Sequence, residues 1–240
     1  MAVGNYIRFT ETGMGEDIES PGTSTPDTPG HSSTGGGGGG GSYGQDSEKP
    51  ENPVVNDTPD TGNKTFPDIE NHWAKDYIAE AKEKNIITGD DKGNFNPENS
   101  VTRAELITML MRAVEGNDTP YDGTFSDVDS NDWFAPTIAK ALSLGIISED
   151  TKFRPNARIT REEMCKMIVN VYAILGGEIE TEDELAFTDG ESISPWAEEF
   201  VAKAVSAGLM NGIDENTFSP KSGATRAQAA TVICRMLKTQ

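Results

Sequence analysis

Three arginines, each at the first position of a predicted helix, are the residues of this sequence best suited to bind an anion. They are Arg103, Arg161 and Arg226. Each follows a threonine in a Thr-Arg-x-Glu or Thr-Arg-x-Gln motif. A cation at a helix N-terminus is mildly unfavourable because the helix dipole already places positive charge there. A position kept three times despite this cost suggests a binding role, since a guanidinium offers two parallel donors to a carboxylate.

The residues alone leave two interpretations of these arginines open. One is contact with a carboxylate-bearing ligand. The other is an internal ion pair with an acidic residue of a neighbouring unit, for which Asp68, Asp127 and Asp189 are candidates.

The only tryptophans of the chain, Trp73, Trp133 and Trp196, each stand at the start of a further helical pattern. A large aromatic residue at the head of an apolar stripe is typical of a core position. The alternative is a partly exposed platform for the apolar face of a sugar ring. Both interpretations stay open on the sequence.

These landmarks recur in one order three times, which indicates an internal repeat. Each unit opens with Phe-x-Asp, continues with tryptophan, and reaches Phe-x-Pro eight residues before its arginine. The phenylalanines of Phe-x-Pro are Phe95, Phe153 and Phe218. We expect them to be buried and to hold the loop against the helices.

Each unit is predicted to form a helix, a loop and a second helix. The first helix begins around the tryptophan and ends near Asn85, Gly145 or Gly208, residues that tolerate a left-handed cap. The second begins at the threonine, whose motif is a capping box. A unit of this size is marginal alone. The sequence therefore predicts an all-α fold in which three helix-loop-helix repeats share one core.

The composition divides the chain into a tail and the repeats. Residues 11–64 are rich in Ser, Thr, Pro, Asp and Gly, with seven consecutive glycines from Gly35 to Gly41, and are predicted to be a disordered linker. Residues 1–10 are interpreted as a remnant of an upstream domain. The predicted repeats span 65–122, 123–184 and 185–240.

Charge excludes some classes of function. The 40 acidic and 20 basic residues give a formal charge of -20, which argues against a nucleic-acid-binding protein. The sequence has no apolar run long enough for a transmembrane helix and no apolar signal-peptide core near its start. We expect either an intracellular protein or a fragment of a longer exported chain.

Other reactive residues are few, so no catalytic residue, metal site or cofactor is predicted. Cys165 and Cys234 lie on apolar helix faces and are interpreted as small buried residues, although a disulfide between them stays open. The two histidines are His31, in the linker, and His72, interpreted as a polar residue at a helix start. The acidic runs do not fit a calcium-binding EF-hand loop.

At these landmarks the sequence resembles the surface-layer homology (SLH) domain family, which occurs as triplets in bacterial cell-surface proteins. The segment 89–105, GDDKGNFNPENSVTRAE, is very close to the family pattern, and Phe66-Pro67-Asp68 and His72-Trp73-Ala74 match it too. The resemblance extends over everything after residue 64.

The resemblance implies a pseudo-threefold domain whose inter-repeat grooves bind secondary cell-wall polysaccharide, often pyruvylated, or another glycan linked to peptidoglycan. It implies an extracellular location, in the bacterial cell wall or S-layer. The predicted ligand-binding residues are Arg103, Arg161, Arg226, Trp73, Trp133, Trp196, Asp68, Asp127 and Asp189. Glu162 and Gln228 depart from the family pattern, so unequal grooves are expected and the first repeat is the most intact.

Two alternatives remain beside glycan anchoring. The acidic surface suits a protein-protein interaction module on the cell surface, and the chain also suits the attachment part of a larger cell-wall hydrolase joined upstream.

Overall fold

The computed structural model describes residues 65–114, 116, 118–181 and 185–239. The predicted upstream remnant at 1–10 and the predicted linker at 11–64 lie outside these residues.

Six α-helices, two from each repeat, dominate the described ranges. They are α1 Lys75–Glu83, α2 Arg103–Ala113, α3 Ala135–Ser143, α4 Arg161–Ile174, α5 Glu198–Ser206 and α6 Arg226–Lys238. Short 3-10 helices at Pro67–Ile69 and Gly190–Ser192 open the first and third repeats. Within the described ranges there are no β-strands, only isolated bridges, so the all-α prediction is confirmed. No helix in these ranges has the length and apolar character needed to cross a bilayer.

Local signals set the helix ends largely as predicted. Thr102, Thr160 and Thr225 each form a complete capping box with the residue three positions later. Asn85, Gly145 and Gly208 have φ of 57°, 71° and 65°, the left-handed conformation that ends the first helices. The first helices begin around the tryptophans, as predicted. Each helix starts two residues after its tryptophan, which lies in the preceding turn.

Three backbone hydrogen bonds close the repeats into a ring. Val101 N–H donates to Ala224 O over 3.0 Å, Ala224 N–H to Ile159 O over 3.0 Å, and Ile159 N–H to Val101 O over 3.1 Å. All three side chains are fully buried. Each repeat donates one of these hydrogen bonds and accepts another. A single repeat therefore cannot satisfy the backbone groups of its central segment by itself.

The second helix of each repeat is also capped by the following repeat. Arg103 N–H donates to Ala157 O over 2.9 Å and Ala104 N–H to Pro155 O over 3.1 Å. The first two amides of α4 donate in the same way to carbonyls of the third repeat, and the first two amides of α6 donate to carbonyls of the first repeat. These donors, which a helix cannot satisfy by itself, are therefore used between repeats.

The helices also pack mainly between adjacent repeats. The closest helix pairs are α1 with α6, α2 with α3, and α4 with α5, so the first helix of each repeat packs on the second helix of the preceding one. The helix-loop-helix repeats share one core, as predicted, and the main packing partner of each helix belongs to an adjacent repeat. Any two apolar stripes can pair, and here the central ring places those of adjacent repeats face to face.

The shared core contains the residues that the repeats predicted. Phe95, Phe153 and Phe218 are at most 2% exposed. Cys165 and Cys234 are buried and free, so they are not joined in a disulfide.

The aspartates of Phe-x-Asp fix the loop that carries each of these phenylalanines. Asp189 Oδ1 accepts from Phe218 N–H over 2.9 Å, and its Oδ2 accepts from Ser219 N–H over 2.7 Å. Asp68 and Asp127 hold the corresponding amides of the first and second repeats in the same way. Ser219 has a φ of 60°, a conformation that is costly for a residue with a side chain. The aspartate bonds stabilise this strained position.

A buried lysine ties the start of the second repeat to the end of α2. Lys140 is 6% exposed, and its Nζ donates to Met111 O, Val114 O and Gly116 O over 3.3, 2.9 and 3.1 Å. These carbonyls lie at and beyond the helix end, where no intrahelical donor remains.

We expect Lys140→Met to lower the free energy of unfolding by about 2 to 4 kcal/mol, because buried carbonyls lose their donor. Urea unfolding followed by circular dichroism measures this. The matched control is Lys203→Met, at the equivalent position of α5, where the lysine forms only a surface pair with Glu199. That change should cost about 0.5 kcal/mol or less. Equal losses in the two variants would contradict the role of Lys140.

The Asp189 clamp should make stability depend on pH. Burial alone would raise the pKa of this carboxyl, but the amide bonds from Phe218 and Ser219 outweigh it and lower the pKa. A lowered folded-state pKa means that the carboxylate stabilises the fold above about pH 4, the unfolded value, and that this contribution is lost as the pH falls through the folded value.

Asp189→Asn should therefore destabilise the fold by about 1 to 2 kcal/mol at pH 7. The difference from the unsubstituted chain should shrink as the pH falls below about 4. Thermal unfolding of both chains at neutral and acid pH tests this, and a difference that stays constant over the range would rule out a charge effect.

Candidate functional site

Each of the three predicted arginines reaches into the next repeat. Arg103 Nε donates to Phe153 O over 2.9 Å, Arg161 Nε to Phe218 O over 2.8 Å, and Arg226 Nε to Phe95 O over 3.0 Å. Each guanidinium also lies over the ring of the same phenylalanine, with its carbon 4.7 to 5.0 Å from the centroid. The arginines therefore lie at the boundaries between repeats and link one repeat to the next through hydrogen bonds.

Two of the arginines form internal ion pairs. Arg103 Nη1 donates to Glu163 Oε1 over 3.0 Å, and Arg226 Nη1 donates to Glu105 Oε1 over 3.1 Å. Their partners are the glutamates of the capping boxes, whereas the aspartates considered from the sequence bond loop amides instead. Sequence reasoning missed the second role of these glutamates, because the ion pair depends on which repeat follows which in space.

Arg161 differs from the other two. Gln228 stands where they meet a glutamate, and among the described residues Arg161 forms no ion pair. Its Nη2 donates to Asn211 O over 2.6 Å instead. Arg161 is 4% exposed, so it is mainly a buried link between the second and third repeats.

Burial is the first cause that lowers the pKa of all three guanidinium groups. Nearby Glu163 and Glu105 raise the pKa of Arg103 and Arg226, respectively. An arginine remains charged at neutral pH despite such changes. All three therefore bring fixed positive charge to the repeat boundaries.

A crevice of about 390 Å³ opens beside Arg103, and we call it the Lys166 crevice. Its charged lining residues are four basic and three acidic. They are Arg103, Lys152, Arg154, Lys166, Glu149, Asp150 and Glu163. The crevice thus has a local excess of positive charge in a chain whose formal charge is -20.

Trp196 also lines the Lys166 crevice, so all three repeats contribute to it. The tryptophan is 47% exposed, and Lys166 Nζ lies 5.9 Å from its ring. Sequence reasoning missed Lys166. The available signal was a lysine one helical turn after the capping-box residue Glu163, on the same side of α4.

A second and much smaller hollow of about 30 Å³ lies at the equivalent place in the first repeat. We call it the Thr108 pocket. It is lined by Arg226 from the third repeat, by Glu105, Thr108 and Arg112 of α2, and by Trp133 from the second repeat.

The remaining predicted site residues are distributed unevenly. Trp73 is 61% exposed, and neither it nor Arg161 lines the two hollows above. The core interpretation was wrong for Trp73 and Trp196, which are 61% and 47% exposed. Trp133 is half-buried. All three aspartates engage both carboxylate oxygens in loop hydrogen bonds.

The residues considered for catalysis or metal binding have local structural partners. His72 Nε2 lies 2.7 Å from Glu98 Oε1, and its Nδ1 accepts from Ala74 N–H over 3.1 Å, as expected of a helix-start residue. Asp90 Oδ1 accepts two amides of its own turn. In the part of the chain that is described, no three acidic, histidine or cysteine side chains are arranged to hold a metal ion.

Glu162, a departure from the family pattern, links the second and third repeats. It is 4% exposed and accepts from both the amide and the hydroxyl of Ser194 over 3.0 Å. Lys221 Nζ lies 2.6 Å from the same carboxylate. A buried carboxylate needs such partners, so this residue fixes the start of the third repeat near the Lys166 crevice.

Comparison with known proteins agrees with this threefold architecture. The sequence profile of the S-layer homology domain matches residues 65–107, 124–165 and 186–230. Amylopullulanase of Thermoanaerobacterium thermosulfurigenes is 42% identical over 177 residues, which are 73% of this chain and 10% of that protein. Exoglucanase XynX of Acetivibrio thermocellus is 40% identical over 176 residues, 72% of this chain and 16% of that protein.

A third relative is an S-layer protein of Bacillus thuringiensis subsp. finitimus, 32% identical over 175 residues, which are 72% of this chain and 21% of that protein. The chain thus spans at most about a fifth of the length of these relatives. With three profile matches that together cover more than half of its residues, the chain belongs to the S-layer homology domain family.

Proposed function

We propose that this chain is a non-covalent cell-wall anchor that binds secondary cell-wall polysaccharide, or another peptidoglycan-linked glycan, between its repeats. The family and the S-layer relatives support a cell-surface anchoring module without catalytic activity of its own. The finer proposal is that the glycan is acidic and carries pyruvyl groups.

The observation that carries this proposal is the Lys166 crevice. It combines a half-exposed tryptophan with a local excess of basic side chains, on a protein that is otherwise strongly acidic. An aromatic face suits the apolar side of a sugar ring, and the basic residues suit a carboxylate on that ring.

Within the crevice the residues take different roles. Trp196 forms the wall against which the sugar packs, and Lys166 supplies a mobile cation beside it. Arg103 is held rigidly through Nε and Nη1, while its Nη2 forms no hydrogen bond with the described residues. That nitrogen is the part of Arg103 that a ligand carboxylate would contact.

The acidic surface limits how the glycan is captured. At physiological salt, charges are screened over about 8 Å, so a basic crevice can bind an anion although the whole chain is negative. Attraction over long distances is weak as a result. Attachment to a polymer then gains strength when more than one site engages the same chain, because the second contact is intramolecular.

Two alternatives to an independent glycan anchor are the attachment part of a larger enzyme and a protein-protein interaction module. Several relatives carry enzyme names, and the chain matches only a small part of each of them, which favours the attachment part of a longer protein as a setting for the same function. A protein-protein module would require a partner that binds the acidic faces rather than the basic crevice.

We expect Lys166→Gln and Trp196→Ala each to weaken retention on purified cell-wall polymer about tenfold, the effect of losing one charge-assisted or aromatic contact. Sedimentation with the polymer measures it. Lys203→Gln, on the outer surface of α5, is the matched control and should bind normally. Removing the pyruvyl groups from the polymer should weaken the unsubstituted chain more than the Lys166→Gln variant. Normal retention of both variants would disprove the role of the crevice.

A comparison of two arginines separates binding from folding. Arg103→Lys and Arg161→Lys both remove a guanidinium link between repeats, and each should lower the free energy of unfolding by about 1 to 3 kcal/mol. Only Arg103→Lys should also weaken binding to the polymer. Thermal unfolding and sedimentation are measured on the same preparations. Equal binding losses would mean that the arginines act through stability alone.

A further inference from the structure

The Thr108 pocket contains two buried polar atoms without hydrogen-bond partners. Thr108 is 6% exposed, and its Oγ1 bonds to no atom of the described residues. The same is true of Trp133 Nε1. A buried donor without an acceptor is costly, and both atoms belong to residues that line the same pocket. Each therefore has a bond to offer to an incoming group.

The equivalent position of the third repeat shows that this arrangement is not forced by the helix. Thr231 lies at the same position of α6, and its Oγ1 donates to Ala227 O over 2.8 Å within its own helix. Thr108 could bond its helix in the same manner but does not. Its hydroxyl faces the pocket together with Trp133.

Arg112 adds a cation to the same pocket. It is partly buried, burial lowers the pKa of its guanidinium, and it has no hydrogen bond or ion pair among the described residues. Of its counterparts, Asn170 donates to Ile146 O over 3.0 Å, whereas the guanidinium of Arg235 lies 5.8 Å from the ring centroid of Tyr77 and also forms no hydrogen bond or ion pair among the described residues. Arg112 differs from Arg235 in that it lines the pocket.

The other charges of the pocket neutralise each other. Arg226 uses all three of its nitrogens, on Phe95 O, Glu105 Oε1 and Thr88 O. Glu105 in turn gives its second oxygen to the Thr102 amide. Among the described residues, the positive charge of Arg112 thus has no ion-pair partner, and the unpaired buried atoms of Thr108 and Trp133 in the same pocket are donors.

The size of the pocket limits its occupant. Its volume of about 30 Å³ compares with about 390 Å³ for the Lys166 crevice. A sugar ring must stay outside, while one oxygen-bearing substituent can enter. Ile87 and Met109 form the apolar walls of the pocket.

We propose that the Thr108 pocket receives a carboxylate substituent of the glycan, held by Arg112, Thr108 and Trp133. The inference rests on the proposed function for the identity of the glycan. It differs from the proposed function in one respect. In the first repeat, the residues that bind the acid group of the ligand lie outside the Thr-Arg-x-Glu motif. The Lys166 crevice then receives a sugar ring together with its carboxylate, whereas the Thr108 pocket holds a carboxylate alone.

The test follows the indole N–H signals of the three tryptophans by nitrogen-15 NMR, each assigned with a tryptophan-to-phenylalanine variant. Acetate is the first probe, titrated against chloride at equal ionic strength. We expect acetate to move the Trp133 signal and to leave the Trp73 signal in place. A Trp133 signal that does not respond, as expected if a fixed internal water fills the pocket, would overturn the proposal.

The variant Thr108→Val keeps the shape of the side chain and removes its hydroxyl, and Arg112→Gln removes the charge and leaves a shorter polar side chain. Each should weaken the acetate response of Trp133 about tenfold or more. Arg235→Gln and Thr231→Val, at the equivalent positions of α6, are the matched controls and should leave the response unchanged. Unfolding curves of all four variants show whether the fold is intact. An unaltered response in Arg112→Gln would also overturn the proposal.

A second probe connects the pocket to the glycan. A pyruvylated disaccharide should move the Trp133 signal, and the same disaccharide without its pyruvyl group should not. If the glycan moves only the Trp196 signal, the proposed function stands and the carboxylate pocket is wrong. If acetate moves Trp133 but neither disaccharide nor polymer binds, the pocket stands as a carboxylate site and the glycan-anchoring function is wrong.

Discussion

The ring of three hydrogen bonds among Val101, Ile159 and Ala224 is the constraint from which the rest of the structure follows. A backbone amide buried at the centre of a domain must have a partner, and here each partner belongs to another repeat. The ring can close only when all three repeats are present. The amides at the starts of α2, α4 and α6 add to the same dependence, since they bond to carbonyls of the following repeat. Cooperativity is therefore a property of the backbone connections and not only of the shared apolar core.

Both candidate sites also require all three repeats. The Lys166 crevice combines Arg103, Lys166 and Trp196, one from each repeat, and the Thr108 pocket combines Arg226, Thr108 and Trp133 in the same relation. A single repeat would hold only a third of either site. The arginines contribute both to folding and to binding. Their guanidinium groups are planar and rigid, so the nitrogens that bond to the next repeat also fix the orientation of a nitrogen left free for a ligand.

Small substitutions at equivalent positions give the repeats different chemistry. Position by position, Thr108, Lys166 and Thr231 correspond, as do Glu105, Glu163 and Gln228. The three helices that carry them begin with the same cap geometry, so the differences act on charge and hydrogen bonding. Replacing a capping glutamate by Gln228 preserves the helix cap and removes the ion pair to the preceding repeat's arginine. A threefold fold can in this way present unlike sites without any change of architecture.

The sequence by itself determined what depends on neighbours along the chain. Capping boxes, left-handed helix ends and the buried phenylalanines are set by residues a few positions apart, and the threefold recurrence made them recognisable. Only the tertiary structure decided which helices pair, which carboxylate meets each arginine, and how far each tryptophan is exposed. The physical reason is that apolar stripes of similar width are interchangeable partners. The choice among them is made by contacts between distant segments, whose identity a local pattern does not contain. Thr108 and Arg112 were invisible for the same reason, since an unused donor can be recognised only after every other donor has found its partner.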